Sequence, residues 1–346
     1  MINAWEGTGE RCSEGPHILF KDGWYYAIVA EGGTGYGHGI NVGRSRNMEG
    51  PYECSPYNPV MRQTNPIAPI QRTGHGKLVQ DQNGVWWCYY LCGRPNAHRY
   101  TTIGRETALD RVEWTDDGWF TINEGKGPSE IQNSPRLKSH SFPKWTRDDF
   151  DSDKLNLNWQ FVREPAYGSF SLTERPGYFR IWTQDGQLME IRSKNTLLRR
   201  EQELTYLAFT KLEFYPDREG EQAGLTCYYS TSTYVRCSLC YREGRKLQLV
   251  INRNNGEELI TEVTDVKEQP IYLKVAVNKL QRTFYYSYDG NTWIMVGILE
   301  NCTYLCDEGV PEDPKRHTGT MVGIYANNGG CGSRKPADFD FFEYFD

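Results

Sequence analysis

Two aromatic hairpins, recurring about 60 residues apart, constrain what this chain can fold into more than any other feature. In the first, His17-Ile18-Leu19-Phe20 leads through Lys21-Asp22-Gly23 into Trp24-Tyr25-Tyr26-Ala27-Ile28-Val29-Ala30. In the second, Lys77-Leu78-Val79-Gln80 leads through a turn spanning Asp81 to Gly84 into Val85-Trp86-Trp87-Cys88-Tyr89-Tyr90-Leu91. Asp-Gly and Asn-Gly supply the positive φ that tight hairpins need, and the aromatic strand bodies suit a pleated, half-buried surface. Each hairpin follows a polar, glycine-flanked stretch, Ser13-Glu14-Gly15-Pro16-His17 or Thr73-Gly74-His75-Gly76. Polar strand entrances before apolar bodies fit propeller blades, whose inner strands aim their leading residues at a central cavity; they fit an ordinary meander equally well.

The rest of the composition agrees with strands. Aromatic residues make up 14% of the 346 residues and 34 glycines punctuate them, so an all-β chain long enough for two domains is expected. The hydrophobic pattern lapses between Asn123 and Lys144, where glycines and prolines such as Gly125, Gly127, Pro128 and Pro135 accumulate. We therefore expect a first domain over residues 1–125, a linker over 126–145 and a second domain over 146–346. In the second, Tyr178 to Trp182, Ala223 to Tyr229, Lys246 to Ile251, Ile271 to Val277 and Thr283 to Tyr288 alternate with turns, the pattern of a β-sandwich.

A net charge of -6 with scattered Lys and Arg argues against a nucleic-acid partner. No apolar run reaches the roughly 18 residues that cross a bilayer, and Met1 to Glu6 is not a basic-then-apolar leader, so no membrane partner is expected. Of the ten cysteines, Cys88, Cys92 and Cys227 fall in apolar strand-like runs and read as buried free thiols, which leans toward a cytoplasmic chain. Cys237 and Cys240 form a lone C-x-x-C without a second ligand pair, so no zinc or redox centre is expected.

Several motifs, in order along nearly the whole chain, resemble glycoside hydrolase family 43, and within it the β-xylosidase branch. They are Glu14-Gly15-Pro16-His17, the run from Ala30 to His38, Asn58-Pro59, Ile70 to His75, Gly93-Arg94-Pro95 and Gly104-Arg105-Glu106-Thr107. Beyond the linker, Asp149-Phe150-Asp151, Ser171 to Gly177, Gln222 to Leu225 and Pro336 to Asp340 resemble the concanavalin-like sandwich attached to those xylosidases. The resemblance implies a five-bladed propeller followed by a sandwich, acting as a β-xylosidase or α-L-arabinofuranosidase on xylo- or arabino-oligosaccharides. No nucleotide or redox cofactor is implied. The resemblance leaves room for a calcium ion in the sandwich or propeller cavity, but no ligand set for it can be assembled from spacing here.

Inverting hydrolysis needs one protonated carboxyl for the leaving oxygen and a carboxylate across the sugar that activates water, about 6.5–9.5 Å away. By the resemblance Glu14 is the general acid. A neighbouring carboxylate or desolvation must keep it protonated. Family resemblance also gives His75 an orienting role at the cavity floor, Arg105 a contact with the terminal sugar, and Thr34 a sugar hydroxyl. His317 stands where the sandwich of relatives lends an aromatic lid, within a stretch, Val310 to Arg316, that reads as an insertion. The competing structural roles are a solvated turn for Glu14 and Thr34, a satisfied strand-start histidine for His75, a surface arginine for Arg105 and a solvated loop for His317.

In the family the base and the modulating aspartate come from blades before the acid. Only 13 residues precede Glu14, none of them aspartate, so residues 1–346 are expected to begin inside the propeller and to have negligible activity alone. The alternatives are a non-catalytic carbohydrate-binding protein, and a complemented enzyme in which another chain or a second copy supplies the remaining sheets.

Overall fold

The computed structural model describes residues 5–310 and 317–346, apart from 136, 137, 139 and 143. Most of the stretch read as an insertion, residues 311–316, lies outside the described residues. The chain divides into two units, residues 1–101 with 105–141 and residues 102–104 with 142–346.

Two antiparallel meanders build the first unit. In one, β1 (Glu14–Lys21), β2 (Trp24–Glu31), β3 (Gly39–Ser45) and β4 (Glu53–Cys54) lie in chain order, and β5 (Met61–Arg62) joins β3. The other runs β6 (Gln71–Gln80), β7 (Trp86–Gly93), β8 (Glu106–Trp114) and β9 (Phe120–Ile122). Asp22 and Gly23 both take positive φ, 51° and 77°, and close β1 onto β2 with Lys21 opposite Trp24, as the Asp-Gly signal implies. Tyr26, Ile28, Ile40 and Val42 of the first meander share one apolar cluster with Leu78, Cys88, Tyr90 and Val112 of the second. The alternation that buries Tyr26 and Ile28 leaves Ile18, Phe20, Val79 and Tyr89 exposed, Phe20 to 60%.

Bulges let the ladder continue through the polar entrances, so Glu14 to His17 lies within β1 and Thr73 to Gly76 within β6. The low-complexity stretch after residue 126 also starts tied down. Buried Asp110 on β8 accepts from Tyr90 Oη at 2.6 Å, from Ser129 N at 3.1 Å and Oγ at 2.5 Å, and from Gln132 Nε2 at 2.8 Å.

The second unit is a sandwich of two antiparallel sheets. One runs Phe170–Ser171, Phe179–Trp182, Pro336–Phe345, Thr205–Glu213, Ile271–Asn278, Gln281–Ser287, Ile294–Leu299, with Arg147–Asp148 also on Pro336–Phe345. The other runs Gln160–Phe161, Thr196–Arg200, Met321–Asn327, Gln222–Ser230, Thr233–Tyr241, Arg245–Arg253, Gly256–Val263. Alternate residues of both sheets, among them Leu225, Val235, Leu249, Leu273, Ile324 and Phe339, form its core. Cys88, Cys92, Cys227, Cys237, Cys240, Cys302 and Cys306 are buried free thiols. Cys237 faces the core, and Cys240, three residues on along the same strand, faces the other way, so the pair cannot chelate one ion.

Within this core sits a buried ion pair. Arg282 is fully buried and donates from Nη2 to both oxygens of Glu201, at 3.0 and 3.1 Å, while Tyr206 Oη donates to Glu201 at 2.7 Å. Arg282→Met strands the carboxylate and should cost about 3–5 kcal/mol in urea unfolding, whereas Arg282→Met with Glu201→Leu should recover most of that loss.

Candidate functional site

Four of the five residues singled out in the sequence belong to the first unit, and β6 sets their arrangement. Its ladder with β7 is interrupted between Gln71 and Gly74 and again between Gly74 and Lys77. At these interruptions Arg72 and His75 hold φ of 58° and 52°, a left-handed backbone that non-glycine residues seldom adopt. Bulges of this kind re-aim side chains and concentrate at functional sites.

His75 is aimed at β1. Its Nδ1 stands 4.0 Å from Glu14 Oε1, with about half of the Glu14 side chain exposed. A Cβ placed on Gly15 would come within 2.2 Å of His75 Nε2, so only glycine lets β1 run this close to the imidazole. Arg72 is aimed at the glycine-rich loop instead, where Nε donates to Thr34 O at 2.9 Å. Arg105 Nη2 donates to Thr34 Oγ1 at 2.5 Å, so two guanidiniums clamp this loop at one residue. Farther along the loop Tyr36 Oη donates to Arg99 O at 3.0 Å.

His38, which ends that loop, connects the two groups and was missed in the sequence reading. It is buried, and its Nδ1 lies 3.1 Å from Arg72 O. A carbonyl only accepts, so Nδ1 carries the proton and Nε2 is left bare; Nε2 has no hydrogen-bond partner among the described residues. Burial drives the His38 pKa down to about 4; the Arg72 carbonyl opposes this, the positive fields of Arg105 and His75 reinforce it, and Glu14 opposes it. His38 thus senses Glu14, His75 and Arg105 together. Its only sequence signal was its position at the end of a glycine-rich run.

His317 belongs to the second unit. Its backbone N and its Nδ1 donate to the two oxygens of buried Asp307, at 3.1 and 3.0 Å, and Tyr229 Oη donates to the same carboxylate at 2.5 Å. The imidazole is therefore held in one tautomer and orientation by a carboxylate that the sequence did not single out.

A carboxyl, an imidazole and guanidinium donors converging at strand entrances are what sugar cleavage asks for, and the chain's relatives are glycoside hydrolases. Residues 1–120 match Glycosyl hydrolases family 43, and residues 147–345 match the Beta xylosidase C-terminal Concanavalin A-like domain. The chain belongs to glycoside hydrolase family 43. It is 36% identical over 360 residues to Xylan 1,3-beta-xylosidase of a Vibrio species, covering 99% of this chain and 66% of that protein. It is 33% identical over 340 residues to Non-reducing end alpha-L-arabinofuranosidase of Bacteroides ovatus, covering 98% of this chain and 63% of that protein. The crystal structure of a family 43 protein from Bacillus licheniformis superposes with a TM-score of 0.95 at 56% identity, over 99% of this chain and 66% of that one. The chain thus spans just under two thirds of the length of these relatives.

The His38 environment has a pH consequence. Its folded pKa lies below its unfolded value of 6.5, so the unfolded chain takes up this proton first. Stability from His38 is fully present above pH 6.5 and is lost as pH falls from 6.5 toward 4, by up to about 3 kcal/mol. His38→Asn keeps a donor for Arg72 O but does not titrate, and its urea-unfolding free energy should fall less steeply across that window.

Proposed function

We propose that this chain carries the proton donor of an exo-acting glycosidase that releases xylosyl or arabinofuranosyl units from oligosaccharides, with Glu14 as the general acid. The observation that supports this best is the half-exposed Glu14 carboxylate at a strand entrance, faced at 4.0 Å by a histidine held on a left-handed bulge. His75 orients the acid. Arg105 shares its planar donor fork between Thr34 and hydroxyls of the terminal sugar, and the Thr34 hydroxyl, while accepting from Arg105, has its own proton to donate. His317, fixed by Asp307 within the second unit, is a further candidate for binding sugar.

Inversion further needs a carboxylate base, and we propose that it stands on sheets additional to the two described here, completing a five-bladed ring. Ile18, Phe20, Val79 and Tyr89, exposed on the meanders, support such sheets, since apolar faces of this kind are normally covered. The covering sheets lie in the same polypeptide, in a complementing chain or in a second copy. The relatives include a xylosidase and an arabinofuranosidase, which supports xylose and arabinose alike.

Residues 1–346 alone should release no xylose from xylobiose above a blank. Extended at the N-terminus by the corresponding region of the Bacillus licheniformis relative, the chain should hydrolyse xylobiose, and Glu14→Gln in that longer chain should lower kcat about 10²–10⁴-fold. Turnover by residues 1–346 alone would refute the placement of the base, and an active Glu14→Gln would refute the role of Glu14.

A further inference from the structure

We propose that Glu31 is the positioning residue for Glu14, its buried carboxylate fixing the segment 8–13 from which β1 starts. The inference deepens the assignment of Glu14 as proton donor and rests on it. Residues 5–13 form no strand, so no ladder holds the chain as it enters β1. Glu31 supplies the missing anchor. It ends β2, one residue beyond Ala30, which pairs with Glu14.

The Glu31 side chain is fully buried and accepts hydrogen bonds from three residues far from it in sequence. Thr8 N donates at 3.1 Å to Oε1 and 3.2 Å to Oε2, and Thr8 Oγ1 donates at 2.8 Å. Ser13 Oγ donates to Oε1, and Asn41 Nδ2 donates to Oε2 at 2.5 Å. Ser13 immediately precedes Glu14, so this carboxylate holds the side chain of the residue beside the proton donor. Next to it, Gly32 N donates to Arg11 O at 2.9 Å. A Cβ on Gly7 would come within 2.2 Å of Glu31 Oε1, so the segment folds as tightly over the carboxylate as glycine permits.

Thr8 N and Asn41 Nδ2 can only donate, and the hydroxyls of Thr8 and Ser13 donate as well, an arrangement that suits an ionised acceptor. Burial by itself would raise the Glu31 pKa, but the bonds from Ser13, Thr8 and Asn41 outweigh it and hold the carboxyl below its ordinary range. Gln at this position would turn an amide N–H toward donors. Changing its partner at the same time, in Glu31→Gln with Asn41→Asp, restores a donor facing an acceptor.

The test uses residues 1–346 and reads amide hydrogen exchange across 8–14 together with the ¹³C titration of the Glu14 carboxyl, assigned by its loss in Glu14→Gln. In Glu31→Gln we expect exchange over 8–14 to rise about tenfold relative to β7 and the Glu14 midpoint to move by about half a pH unit or more. Glu31→Gln with Asn41→Asp should return both toward the parent. Unchanged exchange and an unchanged Glu14 midpoint in Glu31→Gln would overturn the proposal, as would a loss spread evenly over β1 to β9 that the double substitution does not repair. If Glu31→Gln does not fold, the double variant decides: parent-like exchange and midpoint support the proposal, and failure to fold overturns it. An N-terminally extended chain in which Glu14→Gln stays active would remove the proton-donor role and leave the exchange and titration results for Glu31 standing.

Discussion

A strand residue at positive φ throws its side chain off the alternation that the rest of the strand obeys, and β6 does this twice, at Arg72 and at His75. Had β6 kept a regular ladder, its residues would have divided between the shared apolar cluster and the opposite face, and neither side chain would have been directed toward β1 or the glycine-rich loop. The irregular backbone costs of order 1–3 kcal/mol at each residue, and it persists because neighbours over-determine it. Arg72 is held through Thr34 and His38, and His75 lies against a strand that passes close beneath it at Gly15.

The same economy of polar groups recurs through the chain. Glu31, Asp110, Glu201 and Asp307 are all buried carboxylates, and each gathers donors from segments distant in sequence. Buried charge is tolerable only when so satisfied, and a satisfied one fixes every segment that reaches it. Glu31 orders the entry to β1, Asp110 the start of the stretch after residue 126, Glu201 the interior of the sandwich and Asp307 the ring of His317. Glu31 and Asp110 do this from strands, Glu201 and Asp307 from the connections between strands.

How much of this was legible in the sequence follows from the range of the interactions. The hairpins could be read because Asp22-Gly23 and Asn83-Gly84 act locally, and sandwich strands such as Ile271–Asn278 because their alternation is visible in a short window. The all-β class and the sandwich followed from these. Strands such as Thr196–Arg200 and Met321–Asn327 lack a clean alternation, being buried on both faces, and were harder to see. Glu14 with His75, and Thr34 with Arg105, could be singled out only through motifs. Arg72, His38, Glu31 and Asp307 were missed for a common reason: their partners are too far away in sequence for spacing to suggest them, and nothing in the residue types at 72 and 75 announces a left-handed backbone.

The distribution of thiols carries a practical corollary. Seven cysteines are locked in the interior, while Cys12, Cys54 and Cys331 face solvent. A maleimide dye offered to the native chain is thereby confined to those three positions, and with Cys54 and Cys331 changed to serine the label falls at Cys12 alone, two residues before Glu14. The fold has in effect left an attachment point for a fluorescent reporter at the mouth of its own candidate site.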